Sequence, residues 1–195
     1  MNRGNDIVLF LTLAIVLFTL ALVQSGPRQN DEACDVALQV LKYLRDENDG
    51  KIAVSTRSAN NLDMSRTEVE QYAAHWRSNN RIDAAGEIFL DLAIKEAAVK
   101  DLKPVEECAN IRQWLDKSLI IHDDAQIDAA KADKEIYPFT IVAISMPVLS
   151  DDRNHAQMSI AQVSGALAGE GESVSLKRQE NNRWRIENFA GMWIS

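Results

Sequence analysis

The sequence predicts an α+β fold: an apolar leader helix, then three to four amphipathic helices packed on a C-terminal antiparallel β-meander of three to four strands. Three observations lead there. Between residues 30 and 120 apolar side chains recur at i, i+3, i+4 and i+7, the spacing that lines one face of a helix. Between residues 137 and 195 the period falls to two, and the apolar runs are separated by clusters of Asp, Asn and Gly. The helices precede the strands instead of alternating with them, which favours α+β over a parallel α/β sheet.

Residues 1–25 read as a signal peptide or a single-pass membrane anchor. Ile7 to Val23 is an uncharged run in which only Thr12 and Thr19 are polar. As a helix it has the minimum length for crossing a hydrocarbon core of about 30 Å, and it is slightly long for the apolar region of a cleaved signal. Arg3 precedes it, Ser25 offers a small residue for signal cleavage, and Gly26-Pro27 ends any helix. Both readings place residues 26–195 outside the cytoplasm, in the periplasm or at the cell surface, either secreted or held to the membrane through residues 7–23.

The remainder suits one globular domain, helical over 30–120 and a meander over 137–195. Apolar residues at 46% and charged residues at 26% supply a core without metals. The net charge of −8, with no basic cluster, excludes nucleic acid as a partner.

The first helix of the domain is expected over Asn30 to Glu47, burying Ala33, Val36, Ala37, Val40, Leu41 and Leu44, with Asn48-Asp49-Gly50 as its stop. Lys51 to Thr56 is β-branched and reads as a short strand or an extended connection. Ser65 and Glu68 form a capping box, and Met64 with Val69 a hydrophobic staple, ahead of a helix whose stripe is Val69, Tyr72, Ala73 and Trp76. A further helix starts near Asp83 and presents Ile88, Phe89, Leu92 and Ala93. Another starts at Pro104, a residue suited to a first helical position, and presents Cys108, Ile111, Leu115 and Leu119. From His122 to Glu135 the pattern fits either a short helix capped by Asp123 or Asp124, or an exposed connector.

In the meander, Phe139 to Leu149 is a nearly continuous apolar run that reads as a central strand ending at Pro147, which cannot donate to a ladder. His155 to Val163 alternates, with Ala156, Met158 and Ile160 on one face and mostly polar residues on the other. Gly165, Gly169 and Gly171 mark a bulge or hairpin turn. Strands resume at Ser173 and at Trp184, and the chain closes on Trp193-Ile194-Ser195.

The order Met146-Pro147-Val148-Leu149, an alternating strand, Gly165-Ala166-Leu167-Ala168-Gly169, Leu176-Lys177, Trp184-Arg185-Ile186 and Trp193-Ile194-Ser195 resembles small exported bacterial proteins of unknown function. The likeness covers the C-terminal third. It departs from those proteins at Ser164 and Ala168, where they often carry cysteines. The order of helices followed by a sheet also resembles the nuclear transport factor 2 and ketosteroid isomerase fold. That resemblance implies a cone-shaped fold, helices first and then a curved sheet, and, resting on element order, implies no function.

Few residues invite chemistry. Cys34 and Cys108 are the two cysteines, and in an oxidising compartment they are candidates for a structural disulfide, with buried free thiols as the alternative. His75, His122 and His155 form no ligand-spaced motif. His122-Asp123-Asp124 is the cluster closest to a metal or base site and reads more simply as a solvated helix start. Tyr72 and Trp76 at i, i+4 are either core or the lining of a pocket, to which His122 is a further candidate. No G-x-S-x-G, phosphate loop or C-x-x-C is present. The sequence therefore yields no catalytic residue, no cofactor and no metal site. It is read as a non-enzymatic extracytoplasmic binding or structural domain for a small ligand or a partner protein. The alternative is a small hydrolase or isomerase with a pocket between the helices and the concave face of the sheet, which requires a buried carboxylate or histidine pointing into that pocket.

Overall fold

The computed structural model describes residues 31–59, 64–132 and 134–194, with side chains described as far as Gly191. The leader and its apolar run at 7–23 lie outside these residues, as does the side chain of Trp193. Among the described residues no helix is long and apolar enough to cross a membrane. From Ala33 onward the chain forms one compact unit.

The fold is α+β. Helix α1 spans 31–47 and ends in left-handed backbone at Asp49 and Gly50, where the Gly50 N–H donates to the Arg45 carbonyl at 2.8 Å. A short strand β1, Ile52–Val54, follows. Helices α2 (Arg66–Asn79) and α3 (Ala84–Ala98) form a hairpin joined by the Arg77–Glu87 ion pair. The Ser65–Glu68 capping box starts α2, and the Asp83 carboxylate caps α3 by accepting from the Gly86 N–H at 2.8 Å. Then come α4 (Pro104–Glu107), α5 (Ala109–Lys117) and α6 (Asp124–Lys131).

The single helix expected from Pro104 is in fact two, because Cys108 takes extended backbone between α4 and α5. Leu119 is not core either. It is 91% exposed and left-handed at φ 54°, while the next N–H, from Ile120, reaches back to the Leu115 carbonyl at 3.1 Å. This is a Schellman end, and Ile120 takes the buried place that helical spacing gave to Leu119. The stretch after His122 does fold into a helix. Asp123 caps α6, and the Asp124 carboxylate accepts from the Ser55 hydroxyl at 2.7 Å and from that of Thr56.

Strands β2 (Ile136–Ile144), β3 (Val148–Leu149), β4 (His155–Gly165), β5 (Ala168–Arg178) and β6 (Trp184–Ile194) complete one sheet in the order β1-β2-β4-β5-β6, with β3 also on β4. The long strands are antiparallel neighbours in chain order, the expected meander. Only the short β1 adds in parallel, at the outer edge of β2. Gly169 and Gly171 lie inside β5, and the turn itself is Ala166-Leu167. Gly165 is required where it stands, since a Cβ there would come within 2.6 Å of the Glu135 carbonyl oxygen.

One face of the sheet is the main core. Val142, Ile144, Ala156, Met158, Ile160, Val174 and Leu176 meet Val36, Val40 and Leu41 of α1 and Ile111 and Leu115 of α5. The Cys34–Cys108 disulfide ties α1 to the α4–α5 junction. The opposite face of β4 is also buried, beneath α3.

Candidate functional site

The second face begins with a consequence of strand alternation. With Ala156, Met158 and Ile160 turned toward α1, Gln157 and Ser159 must point the other way. They do not meet solvent, because α3 crosses this face, and Gln157 is only 3% exposed. On α3, Glu96 follows Leu92 by four positions, so it sits on the helix's inward stripe and is 5% exposed.

A buried carboxylate needs donors, and the sheet supplies them. The Ser159 hydroxyl donates to Glu96 Oε1 at 2.6 Å, the Ser145 hydroxyl donates to the same oxygen at 3.1 Å, and Gln157 Nε2 donates to Oε2 at 3.1 Å. Ser145 reaches this position by alternation, lying between Ile144 and Met146 of the core face, with its N–H donating to the Ser159 carbonyl at 2.9 Å, and a β-bulge follows it. Four steps from Ile144 to Val148 oppose three from Ile160 to Gln157, so one residue is extra, in a stretch that contains Pro147. In place of a ladder carbonyl, the Ser145 hydroxyl accepts from the Ser159 N–H at 2.8 Å.

Lys95 fixes α3 from outside. Its ammonium donates to the Leu149 carbonyl at 3.2 Å and to Asp151 at 2.7 Å, and it pairs with Asp91 at 2.7 Å. Burial works against this ammonium, but hydrogen bonds to the two aspartates and their charges outweigh it and hold Lys95 above its ordinary pKa.

Beside Glu96 lies a cavity of about 330 Å³. Its roof is apolar, from Met64, Val69 and Tyr72 at α2 and from Phe89, Leu90 and Ala93 of α3, and its floor is Glu96, Gln157, Ser159, Ser173 and Ala190. The cavity exists because Ser159, Ser173 and Ala190 stand in register across β4, β5 and β6, and three small side chains cannot reach the helices above. Phe89, expected in the core, is 53% exposed and borders the opening, while Leu90 is buried in its stead. Two floor atoms, Gln157 Oε1 and Ser173 Oγ, are buried with no hydrogen-bond partner among the described residues.

A second concavity, of about 420 Å³, lies at the β4–β5 turn and is more open. Its polar side chains bond one another: Thr140 Oγ1 donates to Asn48 Oδ1, Asn48 Nδ2 to Gln162 Oε1, and Gln162 Nε2 to Glu170 Oε1. These contacts clasp the end of α1 to the sheet.

Of the residues singled out in the sequence, Tyr72 lines the first cavity. Trp76 stacks on Tyr72 with ring centroids 6.0 Å apart. His122 is elsewhere, with Nδ1 against the Ile120 carbonyl at 3.0 Å and Nε2 3.4 Å from Asp116, both at the end of α5. Cys34 and Cys108 are joined as a disulfide and belong to the core face. Glu96, Gln157, Ser159 and Ser173 were missed. The available signal was a glutamate in the apolar register of α3, at i+4 from Leu92. Among the described residues no three His, Cys, Asp or Glu side chains come together as a metal site. The arrangement can hold an apolar body carrying hydrogen-bond donors, or move a proton at Glu96. No protein family, no curated protein and no solved structure matches the chain.

Proposed function

We propose that the protein is an extracytoplasmic, non-enzymatic binding domain that takes a small, largely apolar molecule into the cavity between the α2–α3 hairpin and the sheet. One observation carries the reading. A buried carboxylate and an unpartnered buried amide oxygen stand on the floor of a cavity whose roof is apolar. Ligand sites have this composition, mostly apolar with a few placed polar groups, and buried polar atoms in a finished interior are nearly always satisfied. The apolar run at 7–23 supports export, and the disulfide is compatible with an oxidising compartment.

The test is thermal unfolding with a panel of small aromatic and aliphatic compounds, on the wild type and on Ser173→Leu, which fills the floor from a position whose hydroxyl has no partner to lose. Members of the panel should raise the wild-type Tm and leave the variant's unchanged. A panel without effect on the wild type at millimolar concentration, or with equal effect on both, would refute the reading.

A second reading is favoured by Glu96 itself, since a carboxylate at the edge of an apolar cavity is equipped to take up a proton from a bound molecule. Under it the protein is a small hydrolase or isomerase. Glu96→Gln would then retain binding and lose turnover, whereas under the binding reading the wild type leaves its ligand unchanged.

A further inference from the structure

Resting on the cavity as a ligand site, we infer that the ligand is a cation: a primary ammonium on a compact apolar group. The inference follows from counting donors and acceptors on the floor. Each carboxylate oxygen of Glu96 can accept about twice. Oε1 is filled by the Ser145 and Ser159 hydroxyls, while Oε2 receives only the Gln157 amide and keeps one position open. Gln157 uses its nitrogen on Glu96, which leaves its Oε1 without a partner although the side chain is 97% buried, the complement of its 3% exposure. Turning the amide round would set that oxygen against the carboxylate, so the orientation is fixed by charge. Ser173 Oγ is the third unfilled acceptor, and against these three the floor holds two unspent donors, the Ser173 O–H and the second N–H of Gln157, so acceptors remain in excess. An ammonium has three N–H donors and no acceptor, which complements this surplus.

Charge points the same way. Glu96 is nearly buried, and no basic side chain is among the described residues that line the cavity. Lys95, its neighbour in sequence, is engaged with Asp91, Asp151 and the Leu149 carbonyl. Hydrogen bonds disperse the carboxylate's charge without neutralising it, and a buried charge is most stable with a counter-charge. A bound ammonium completes the pair. An alcohol brings one donor and no charge, and an anion meets repulsion. The roof offers the rings of Tyr72 and Phe89 to the apolar part, or their faces to the cation.

The experiment is isothermal titration calorimetry on the full chain, disulfide intact, with 2-phenylethylammonium, 2-phenylethanol and 3-phenylpropionate. The ammonium should bind at least tenfold more tightly than the alcohol and the propionate most weakly, and Glu96→Gln should abolish the advantage of the ammonium over the alcohol. Equal or tighter binding of the alcohol would overturn the cation while leaving the cavity reading intact. Binding of none of the three, together with an ineffective apolar panel, would remove both. Should Glu96→Gln fail to fold, the ranking of the three probes on the wild type decides alone.

Discussion

Strand β4 serves two interiors, and they are finished differently. Toward α1 and α5, Ala156, Met158 and Ile160 enter a contact made almost wholly of aliphatic groups and tied by Cys34–Cys108. Toward α3, one residue further along each time, Gln157 and Ser159 meet a carboxylate and an unfilled space. The first interior closes by volume, since methyl groups fill the gap between strand and helix. The second closes by hydrogen bonding, and small residues at Ser173 and Ala190 leave it incomplete. The unfilled space lies where packing stops short, and the close-packed aliphatic contact lies on the other side of the same strand.

That contrast can be tested by breaking each side. The largest effect is expected from the paired change Cys34→Ser with Cys108→Ser. The cysteines are 74 residues apart, and opening that loop should cost about 4 kcal/mol in the chain-entropy account, read from urea unfolding. A loss below about 1 kcal/mol would mean that aliphatic packing alone holds the closed face. Next comes a pair of substitutions on opposite sides. Met158→Ala should cost about 3 kcal/mol through the void it leaves. Glu96→Leu should cost about 2 kcal/mol, because the two serine hydroxyls and the Gln157 amide lose their acceptor. If Glu96→Leu proves stabilising, the polar face is not constrained by its hydrogen bonds. Leu119→Gly sharpens the picture at the end of α5. It relieves left-handed backbone at an exposed side chain and should add about 1 kcal/mol of stability.

The smallest effect concerns the Asp124 clasp on β1. Burial pushes this carboxyl up, but the hydrogen bonds from Thr56 and Ser55 and the charge of Arg57 outweigh it and leave the pKa below the ordinary 3.8. A group depressed in the folded state contributes its full stability above its unfolded pKa and loses it as the pH falls through the folded value. Asp124→Asn should therefore flatten the acid limb of the stability profile below about pH 4 and change the loss between pH 5 and 7 little. An unchanged acid limb would show the clasp to be without energetic weight.

How much of this was legible in the sequence follows from how local each signal is. The Ser65–Glu68 box, the helix start near Asp83 and the apolar stripe of α1 are written within one or two turns, and they read correctly. The meander was legible because alternation and turn residues recur together. Alternation, however, reports that two faces differ and not what covers the second one. Gln157 and Ser159 therefore read as part of a polar face, and nothing near them in sequence reports that α3, some sixty residues earlier in the chain, lies over them. Glu96 was hidden in the same way, since a glutamate in a helix is ordinarily a surface residue and its three donors come from residues 49 to 63 positions away. The break at Cys108 and the turn at Leu119 were hidden because helical spacing carries no information about backbone sign. The cavity was legible at its roof, through Tyr72, and not at its floor, which is set by the small side chains of Ser159, Ser173 and Ala190 on three strands.

The parallel attachment of β1 has a consequence for the order of assembly. The meander closes hairpin by hairpin through contacts near in sequence, but Ile52–Val54 can dock only after the intervening helices have brought Thr140–Val142 alongside. Such a distant pairing is entropically late. Residues 52–54 also lie between the two cysteines, so the closed disulfide confines them to a ring. The N–H groups of Val54 and Ser55, which donate to the Ile121 and Val142 carbonyls, should thus be the last of the sheet to gain protection in pulse-labelled refolding, and later still with the cysteines reduced. On this expectation the β1 edge of the sheet is a latch, shut after everything it holds is in position.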